Sequence, residues 1–316
     1  MNKDRQKEFS RRLSFKLGRI GIGFCEGVAC FIPLSLLYHF TSALAAIGYR
    51  LAGRQRRIAR ESLAMAFGQE KSPQEIERIA RRCFFSMVST GVEFFMFMRH
   101  PERIRQYIQI EGLQYLDQAL AQKKGVVALS GHFGSFPLLL SLLAMDGYKI
   151  HTVLRRMRDQ NLDQFFEKKR NALGVGSIYT QPRQQCVKKS LQVLRDNEIL
   201  FVQLDQNFGT GGVFVDFFGK KAATATGPIV FSMRTGAPIV PMFIVRLKGP
   251  RHKIVIEPPM EVGAEGTGEE RLIGAVAQFT ALIERYVRAY PHEWGWIHKR
   301  WKARPKEEEK GGGSHG

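Results

Sequence analysis

Three short polar segments of this sequence carry the side chains best suited to acid–base chemistry or anion binding. They are residues 130–135, with a glycine on either side of His132, residues 155–156, both arginine, and residues 205–207, which read Asp-Gln-Asn. An imidazole titrates near neutral pH, so an accessible histidine can act as a general base. A guanidinium can bind a phosphate through two hydrogen bonds. The alternative for His132 is a histidine that only hydrogen-bonds the backbone of its own turn.

Each of these segments follows a predicted β-strand. Short apolar runs predict strands at 126–129, 149–154 and 199–204, and helical patterns follow at 137–145, 160–172 and 184–196. Further predicted elements are helices within 55–98, a helix at 226–234, a strand pair at 238–246 and 252–257, and a helix at about 270–289. This alternation predicts an α/β fold with a largely buried sheet. Because ligands bind beyond the carboxyl ends of the strands in such folds, we expect the three segments to share one edge. The N-terminus of the 137–145 helix could stabilise negative charge there.

The charge balance is strongly basic and narrows the choice of partner. Lys and Arg number 48 against 29 Asp and Glu, a formal net charge of +19 on 316 residues. Such a chain attracts polyanions, which include nucleic acid, anionic membranes, phosphorylated lipids and acidic carrier proteins; alternatively, the charge only maintains solubility. No zinc-finger or RNA-binding aromatic motif is present, so we predict no nucleic-acid partner. The four cysteines lack metal-binding spacing, so we predict no metal site.

The N-terminal region predicts attachment to a membrane. Residues 20–47 are apolar apart from Glu26, with basic residues on both sides. This length suffices for one membrane-spanning helix, and a helix lying in the interface or a buried soluble helix are the alternatives. We therefore divide the chain into a basic N-terminus with a membrane-attaching helix at 1–50, a main domain at 51–305, and a charged, Gly-rich tail at 306–316, which we expect to be disordered.

Five segments in order resemble a known family. SGHFGSFPLLL is similar to the H-x-x-x-x-[DE] segment of the glycerolipid, or lysophospholipid, acyltransferase superfamily, in the form found in the late acyltransferases of lipid A biosynthesis. RRIARESLAMAF resembles the family's N-terminal helical segment, VLRRMRDQNLD its arginine block, DQNFGTGGVFVDFFGKKAATATG its Asp-Gln and Phe-Phe-Gly block, and YPHEWGWIHKRWKARP its C-terminal signature. The resemblance covers residues 15 to 304.

This resemblance implies a mixed sheet flanked by helices and an O-acyltransferase activity. A fatty acyl chain would move from acyl carrier protein to a hydroxyl of a lipid A-type glycolipid or a related lipid, on the cytoplasmic face of the bacterial inner membrane. No residue excludes acyl-CoA as the donor or a phospholipid as the acceptor. The family uses no metal and no cofactor.

The chain departs from the family motif at Pro137, which stands where an Asp or Glu should follow the histidine by five residues. That acid normally orients the imidazole, and losing such a carboxylate from a catalytic triad costs about 10⁴ in rate. Asp163 and Asp205 are the candidates to replace it as partners of His132. The alternatives are another support for His132, or a catalytically degenerate member that binds lipid or a partner. Proline itself suits the first turn of a helix.

The other predicted site residues would bind substrate. They are Gly134, Ser135, Arg155, Asn161, Gln206, Phe217, Phe218, Gly219 and Lys220. The two phenylalanines either border an acyl groove or belong to the core, and Lys220 and Lys221 either bind phosphate or lie on a solvated surface. The strip from Trp294 to Lys302 either meets the membrane interface or ends a helix that packs through its tryptophans.

Overall fold

A seven-stranded sheet with helices against both faces forms the centre of the molecule. The computed structural model describes residues 34–305 and the isolated positions 23 and 27. Successive residues of each strand point to opposite faces. Val127 and Leu129 accordingly pack into one hydrophobic cluster, whereas Val126 and Ala128 pack into another. The sheet is therefore buried on both faces, as the unbroken apolar runs predict.

The central sheet has the order β1-β9-β8-β2-β5-β3-β4, and β6 and β7 form a separate hairpin. The strands are β1 (Ile108–Glu111), β2 (Val126–Ser130), β3 (Ile150–Leu154), β4 (Val175–Tyr179), β5 (Ile199–Gln203), β6 (Val213–Phe217), β7 (Lys220–Thr224), β8 (Ile239–Arg246) and β9 (His252–Ile256). Every pairing in the central sheet is parallel except that of β8 with β9.

The α-helices pack on this framework. They are α1 (Leu34–Leu51), α2 (Gly53–Phe67), α3 (Pro73–Arg99), α4 (Ile104–Tyr107), α5 (Leu113–Ala121), α6 (Phe136–Met145), α7 (Gln160–Ala172), α8 (Arg183–Arg195), α9 (Gly227–Thr235) and α10 (Gly268–Ala289). Short 3₁₀ turns lie at Pro101–Arg103 and Gly209–Gly211. The predicted α/β class, with a mostly parallel sheet flanked by helices, is confirmed.

The predicted membrane-attaching helix falls partly on residues outside those described. Residues 23, 27 and 34–47 of the 20–47 segment lie within them, and residues 34–47 form most of α1. Within residues 34–305, no helix combines the length and apolarity needed to cross a bilayer. The α1 helix packs against α3, and the Tyr38 hydroxyl donates a hydrogen bond to Glu93. The 306–316 tail also lies outside the described residues.

The order of the central strands brings two of the polar segments together. Strand β5 lies between β2 and β3 and is parallel to both, with Ser130 in register with Gln203. The carboxyl ends of β2 and β5 therefore adjoin, and residues 130–135 and 205–207 leave the sheet side by side. The expectation of a shared edge is confirmed for these two segments, and β3, which is parallel to β5, ends at the same edge just before Arg155 and Arg156.

Candidate active site

His132 and Asp205 form a paired contact where β2 and β5 end. The ring Nδ1 of His132 lies 2.8 Å from Oδ1 of Asp205, and the backbone N–H of His132 donates to Oδ2 at 2.7 Å. One carboxylate thus fixes both the backbone and the ring of the histidine. Gly131 allows this approach, because a Cβ there would lie 3.3 Å from Cγ of Asp205.

Asp205 is a fully buried carboxylate with a third donor. The indole Nε1–H of Trp294 donates to its Oδ2 at 2.8 Å, and the residue is 1% exposed. Burial acts to raise the pKa of Asp205, but the charge and hydrogen bonds of His132 outweigh it and hold that pKa far below its usual range. The carboxylate is therefore charged at neutral pH.

His132 remains accessible at its other nitrogen. Its side chain is 34% exposed. The amide nitrogen of Gln206 lies 3.2 Å from Nε2. Burial acts to lower the pKa of His132, and the carboxylate of Asp205 raises it above its ordinary value. When the ring is neutral, a proton on Nδ1 satisfies Asp205 and leaves a lone pair on Nε2, the arrangement a general base requires.

The backbone after His132 is clamped by the segment that contains Trp294. Phe133 and Trp294 form an antiparallel bridge, and the N–H of Gly134 donates to the carbonyl of Glu293 at 2.8 Å. Gly134 has φ +53°, and a Cβ there would come 2.1 Å from the carbonyl oxygen of Ile244. Only glycine fits. The amides of Phe133 and Gly134 both donate within the protein, so neither is available to an oxyanion.

Of the two aspartates considered as partners of His132, only Asp205 contacts it among the described residues. The carboxylate of Asp163 accepts from Arg156 at 3.0 Å and from the backbone N–H of Met157 at 2.9 Å. It therefore orders the loop after β3, while Asp205 meets the histidine. Pro137 lies in the first turn of α6.

The remaining predicted binding residues divide into exposed and buried groups. Arg155, Asn161, Gln206, Gly219 and Lys220 are exposed, whereas Ser135, Phe217 and Phe218 are buried. For the phenylalanines, core packing is the correct interpretation. Phe217 stacks on Trp301 with ring centroids 5.6 Å apart, and Phe218 contacts Phe67 at 5.0 Å. Within the part of the chain described, the hydroxyl of Ser135 has no hydrogen-bond partner.

The tryptophans of the C-terminal strip lie in the core. Trp294, Trp296 and Trp301 are at most 5% exposed, and Arg300 is 1% exposed. The Arg300 guanidinium donates to the carbonyls of Gln206 and Ala223, at 3.3 and 2.6 Å. Burial lowers the pKa of Arg300 to about 10, so it stays charged at neutral pH. For the tryptophans, packing is the interpretation that the structure supports, because side-chain type cannot distinguish an interfacial aromatic from a core one.

A second group of buried charges lies behind the histidine loop. Arg246 on β8 contacts Glu93 on α3 through two hydrogen bonds, and His252 lies 3.4 Å from the same carboxylate. Burial acts to raise the pKa of Glu93, but Arg246 and His252 outweigh it and lower that pKa. Glu293 lies 3.9 Å from Arg246 and 3.5 Å from His292, and burial raises its pKa.

Sequence reasoning missed Trp294 and Arg300 as supports of the site. Both lie in the C-terminal segment, far along the chain from His132. The available signal was the position of Trp294 and His298 within the segment that resembles the family's C-terminal signature. Among the described residues, no group of His, Cys, Asp and Glu has the arrangement of a metal site.

The geometry places an accessible imidazole nitrogen, backed by a buried carboxylate, at the carboxyl edge of an α/β sheet. Residues 4–303 match the model of the family described as bacterial lipid A biosynthesis acyltransferase. The chain therefore belongs to that family and is an acyltransferase, as the resemblance implied. The alternative of a degenerate binder receives no support from these matches.

Known proteins similar to this chain include enzymes acting on two kinds of lipid. The lipid A biosynthesis palmitoleoyltransferase of Escherichia coli (strain K12) is 26% identical over 280 residues, which cover 87% of each chain. A phosphatidylinositol mannoside acyltransferase of Mycobacterium tuberculosis (strain CDC 1551 / Oshkosh) is 27% identical over 212 residues, 65% of this chain and 64% of that one. The solved 1-acyl-sn-glycerophosphate acyltransferase of Thermotoga maritima gives a TM-score of 0.37 at 12% identity, covering 81% of this chain and 96% of that one.

Proposed function

We propose that this acyltransferase moves a fatty acyl chain from a thioester donor to a hydroxyl of a glycolipid, with His132 as general base. The His132–Asp205 pair carries the proposal, because it places an accessible basic nitrogen beyond the strand ends, supported by a buried carboxylate. The acceptor class is supported by relatives named for lipid A and for phosphatidylinositol mannoside, which are both glycolipids. A phospholipid acceptor is the second candidate.

The reaction requires one proton to move twice. Nε2 of His132 removes the proton from the acceptor hydroxyl while the hydroxyl oxygen attacks the thioester carbonyl carbon. The tetrahedral intermediate collapses, the carbon–sulfur bond breaks, and the imidazolium returns the proton to the departing thiolate. Asp205 holds Nδ1–H throughout and stabilises the imidazolium, and a base so positioned contributes about 10²–10⁴-fold.

Exposed polar side chains have supporting roles in this proposal. The Gln206 amide, beside Nε2, can donate to the carbonyl oxygen as negative charge develops there. Arg155 follows β3 directly and binds a phosphate of the donor or the acceptor, and Lys220 is a second candidate for that contact.

The donor is proposed to be acyl carrier protein, with acyl-CoA as the alternative. A net charge of +19 favours an acidic carrier and an anionic membrane surface. Attachment to the cytoplasmic face of a bacterial inner membrane, through the apolar segment before and within α1, completes the proposal.

The test is acyl transfer by the purified full-length protein. Acyl carrier protein thioesters and acyl-CoA are each offered with a lipid A precursor, a mannosylated phosphatidylinositol or a lysophospholipid, and products are identified by mass spectrometry. We expect a product that gains one acyl chain on a glycolipid, and none from His132→Ala. Transfer only to the lysophospholipid would refute the acceptor assignment. Full activity in His132→Ala would refute the mechanism.

A further inference from the structure

A cavity lined by arginine side chains lies among the three N-terminal helices, apart from the catalytic pair. Its volume is about 540 Å³, within the range of small-molecule sites. The small residues Ser42, Ala45 and Ala46 of α1 leave this space open. The charged residues around it are Arg50, Arg56, Arg60, Arg81, Arg82 and Glu77.

The cavity carries an excess of positive charge. Glu77 is the one carboxylate among its described lining residues, and it is shared by Arg81 at 2.8 Å, Arg60 at 3.5 Å and the Tyr49 hydroxyl at 2.9 Å. Five guanidinium groups therefore face one carboxylate, an excess of four positive charges. Such an arrangement disfavours the empty site and favours an anion with more than one charge.

Three of the arginines have no carboxylate partner within residues 34–305. One of them, Arg56, donates to the carbonyls of Tyr49 and Arg50, which leaves Arg50 and Arg82. Arg50 is exposed at the end of α1. Arg82 contacts Nε2 of His292 at 3.1 Å, and burial, with the charges of Arg82 and Arg246, lowers the pKa of His292 to about 4. The imidazole is thus neutral at pH 7 and leaves the charge of Arg82 uncompensated. Both guanidinium groups are available for bidentate contacts with a phosphate.

The helix α1 that lines the cavity also carries exposed aliphatic side chains. Ile47 is 52% exposed and Leu51 is 81% exposed. They lie one turn apart on α1, and each follows a cavity-lining residue, Ala46 or Arg50, in the sequence. Large aliphatic side chains left in water on a helix that also lines a cationic cavity suit contact with a lipid that is both anionic and apolar. A free phosphate would use the arginines but not this aliphatic strip.

We propose that the cavity between α1, α2 and α3 binds the phosphate-bearing headgroup of an anionic lipid, with Arg50 and Arg82 as the main phosphate contacts. The site is distinct from the catalytic pair but connected to it. Arg82 and Cys83 contact His292 and the carbonyl of Trp294, whose indole binds Asp205. The proposal does not rest on the proposed acyl transfer, because it is tested by binding alone.

The test is isothermal titration of full-length protein with short-chain lipids below their micellar concentration. The probes are dihexanoyl phosphatidic acid, dihexanoyl phosphatidylcholine and inorganic phosphate. We expect phosphatidic acid to bind at least tenfold more tightly than either other probe. The Arg50→Gln/Arg82→Gln double variant should weaken that binding by tenfold or more. Arg234→Gln/Arg251→Gln, which removes the same charge from exposed sites on other elements, should bind as the wild type does.

A variant that keeps every charge separates the cavity from general basicity. Ala46→Trp fills the space while leaving the five arginines, and it should weaken phosphatidic acid binding by at least tenfold. Equal losses in the two double variants, or full binding by Ala46→Trp, would overturn the site. Equal affinity for inorganic phosphate and phosphatidic acid would overturn the lipid assignment, and so would equal affinity for phosphatidylcholine. Circular dichroism confirms that each variant is folded.

Discussion

Replacing Asp205 with asparagine removes the charge from the catalytic pair and forces a choice of hydrogen bonds. In the wild type, Oδ2 accepts from the His132 backbone N–H and from the Trp294 indole, while Oδ1 faces Nδ1 of His132. An asparagine that turned its NH₂ toward the first two donors would lose two hydrogen bonds. It will therefore turn its oxygen toward them and its NH₂ toward Nδ1.

That orientation switches the neutral imidazole to its other tautomer. Nδ1 must then accept a hydrogen bond, so the proton resides on Nε2, and Nε2 has no lone pair with which to remove a proton from a hydroxyl. The corresponding substitution in a serine protease triad lowers kcat by about 10⁴, and we expect a loss of about 10³–10⁴ in kcat with little change in KM. Loss of the charge-assisted bonds lowers the free energy of unfolding by about 1–3 kcal/mol, which leaves the protein folded.

The pH profile gives an independent signature. The carboxylate raises the pKa of His132 against the effect of burial. Since only the neutral ring is a base, the wild-type rate rises with pH through this raised pKa and then levels. Without the charge, burial is unopposed, and the inflection should move to lower pH.

The assay is acyl transfer from pH 5 to 9, with Asp163→Asn as the matched control, because that aspartate is also buried but orders the loop after β3. We expect the control to retain more than a tenth of wild-type activity. If Asp205→Asn stays within tenfold of wild type while His132→Ala is inactive, Asp205 does not orient the base.

Four other predictions follow from the same contacts. Pro137→Glu should change kcat less than threefold, since Asp205 already holds His132; a rise above tenfold would mean that the acid is missing and uncompensated. Arg155→Ala should raise KM about 10- to 100-fold for a phosphorylated substrate, by loss of a charged hydrogen bond, and unchanged KM for every phosphorylated donor and acceptor would refute this. Arg246→Met should cost about 3–5 kcal/mol in denaturant unfolding by removing the guanidinium that pairs with the buried Glu93 carboxylate, and its deficit should shrink as the pH falls and that carboxylate becomes protonated. A truncated protein of residues 34–316 should no longer sediment with the membrane fraction. Continued sedimentation with membranes would place the attachment elsewhere. The truncation ends at residue 33 because Tyr38 donates a hydrogen bond to the buried Glu93 and must be kept.

Most of the central fold could be predicted because its strands are apolar runs between turn residues. The predicted 126–129, 149–154 and 199–204 strands agree with β2, β3 and β5 within one residue at each end, and the predicted pair at 238–246 and 252–257 forms the antiparallel β8 and β9. The missed strands lack this pattern. Strand β1 has four residues, and β4 contains Gly176 and Ser177. The hairpin of β6 and β7 was interpreted only as a family motif, although its Phe218-Gly219 turn has the positive φ angles of a tight hairpin.

The site was predictable only in part. Strand-end position identified His132 and Asp205 separately, and parallel topology then implied that they adjoin. The choice between Asp163 and Asp205 required the strand order. The sequence pattern alone places each aspartate after a predicted strand that follows His132, so it could not choose between them. The contacts of Trp294 and Arg300 with the site could not be predicted from local sequence patterns, because they join segments about ninety residues apart in the chain.

The strand order also explains how the site can lack an acid at Pro137. An acid five residues after the histidine would reach it from the first turn of α6, within the same segment. In this chain the carboxylate comes from the neighbouring strand, and three donors fix it there: the His132 backbone, its ring, and Trp294. The register of β2 with β5 sets that distance, so the pair depends on sheet hydrogen bonds and not on the position of a helix. Proline at 137 is then unconstrained by catalysis, and it suits the first helical turn, where its missing N–H costs no hydrogen bond.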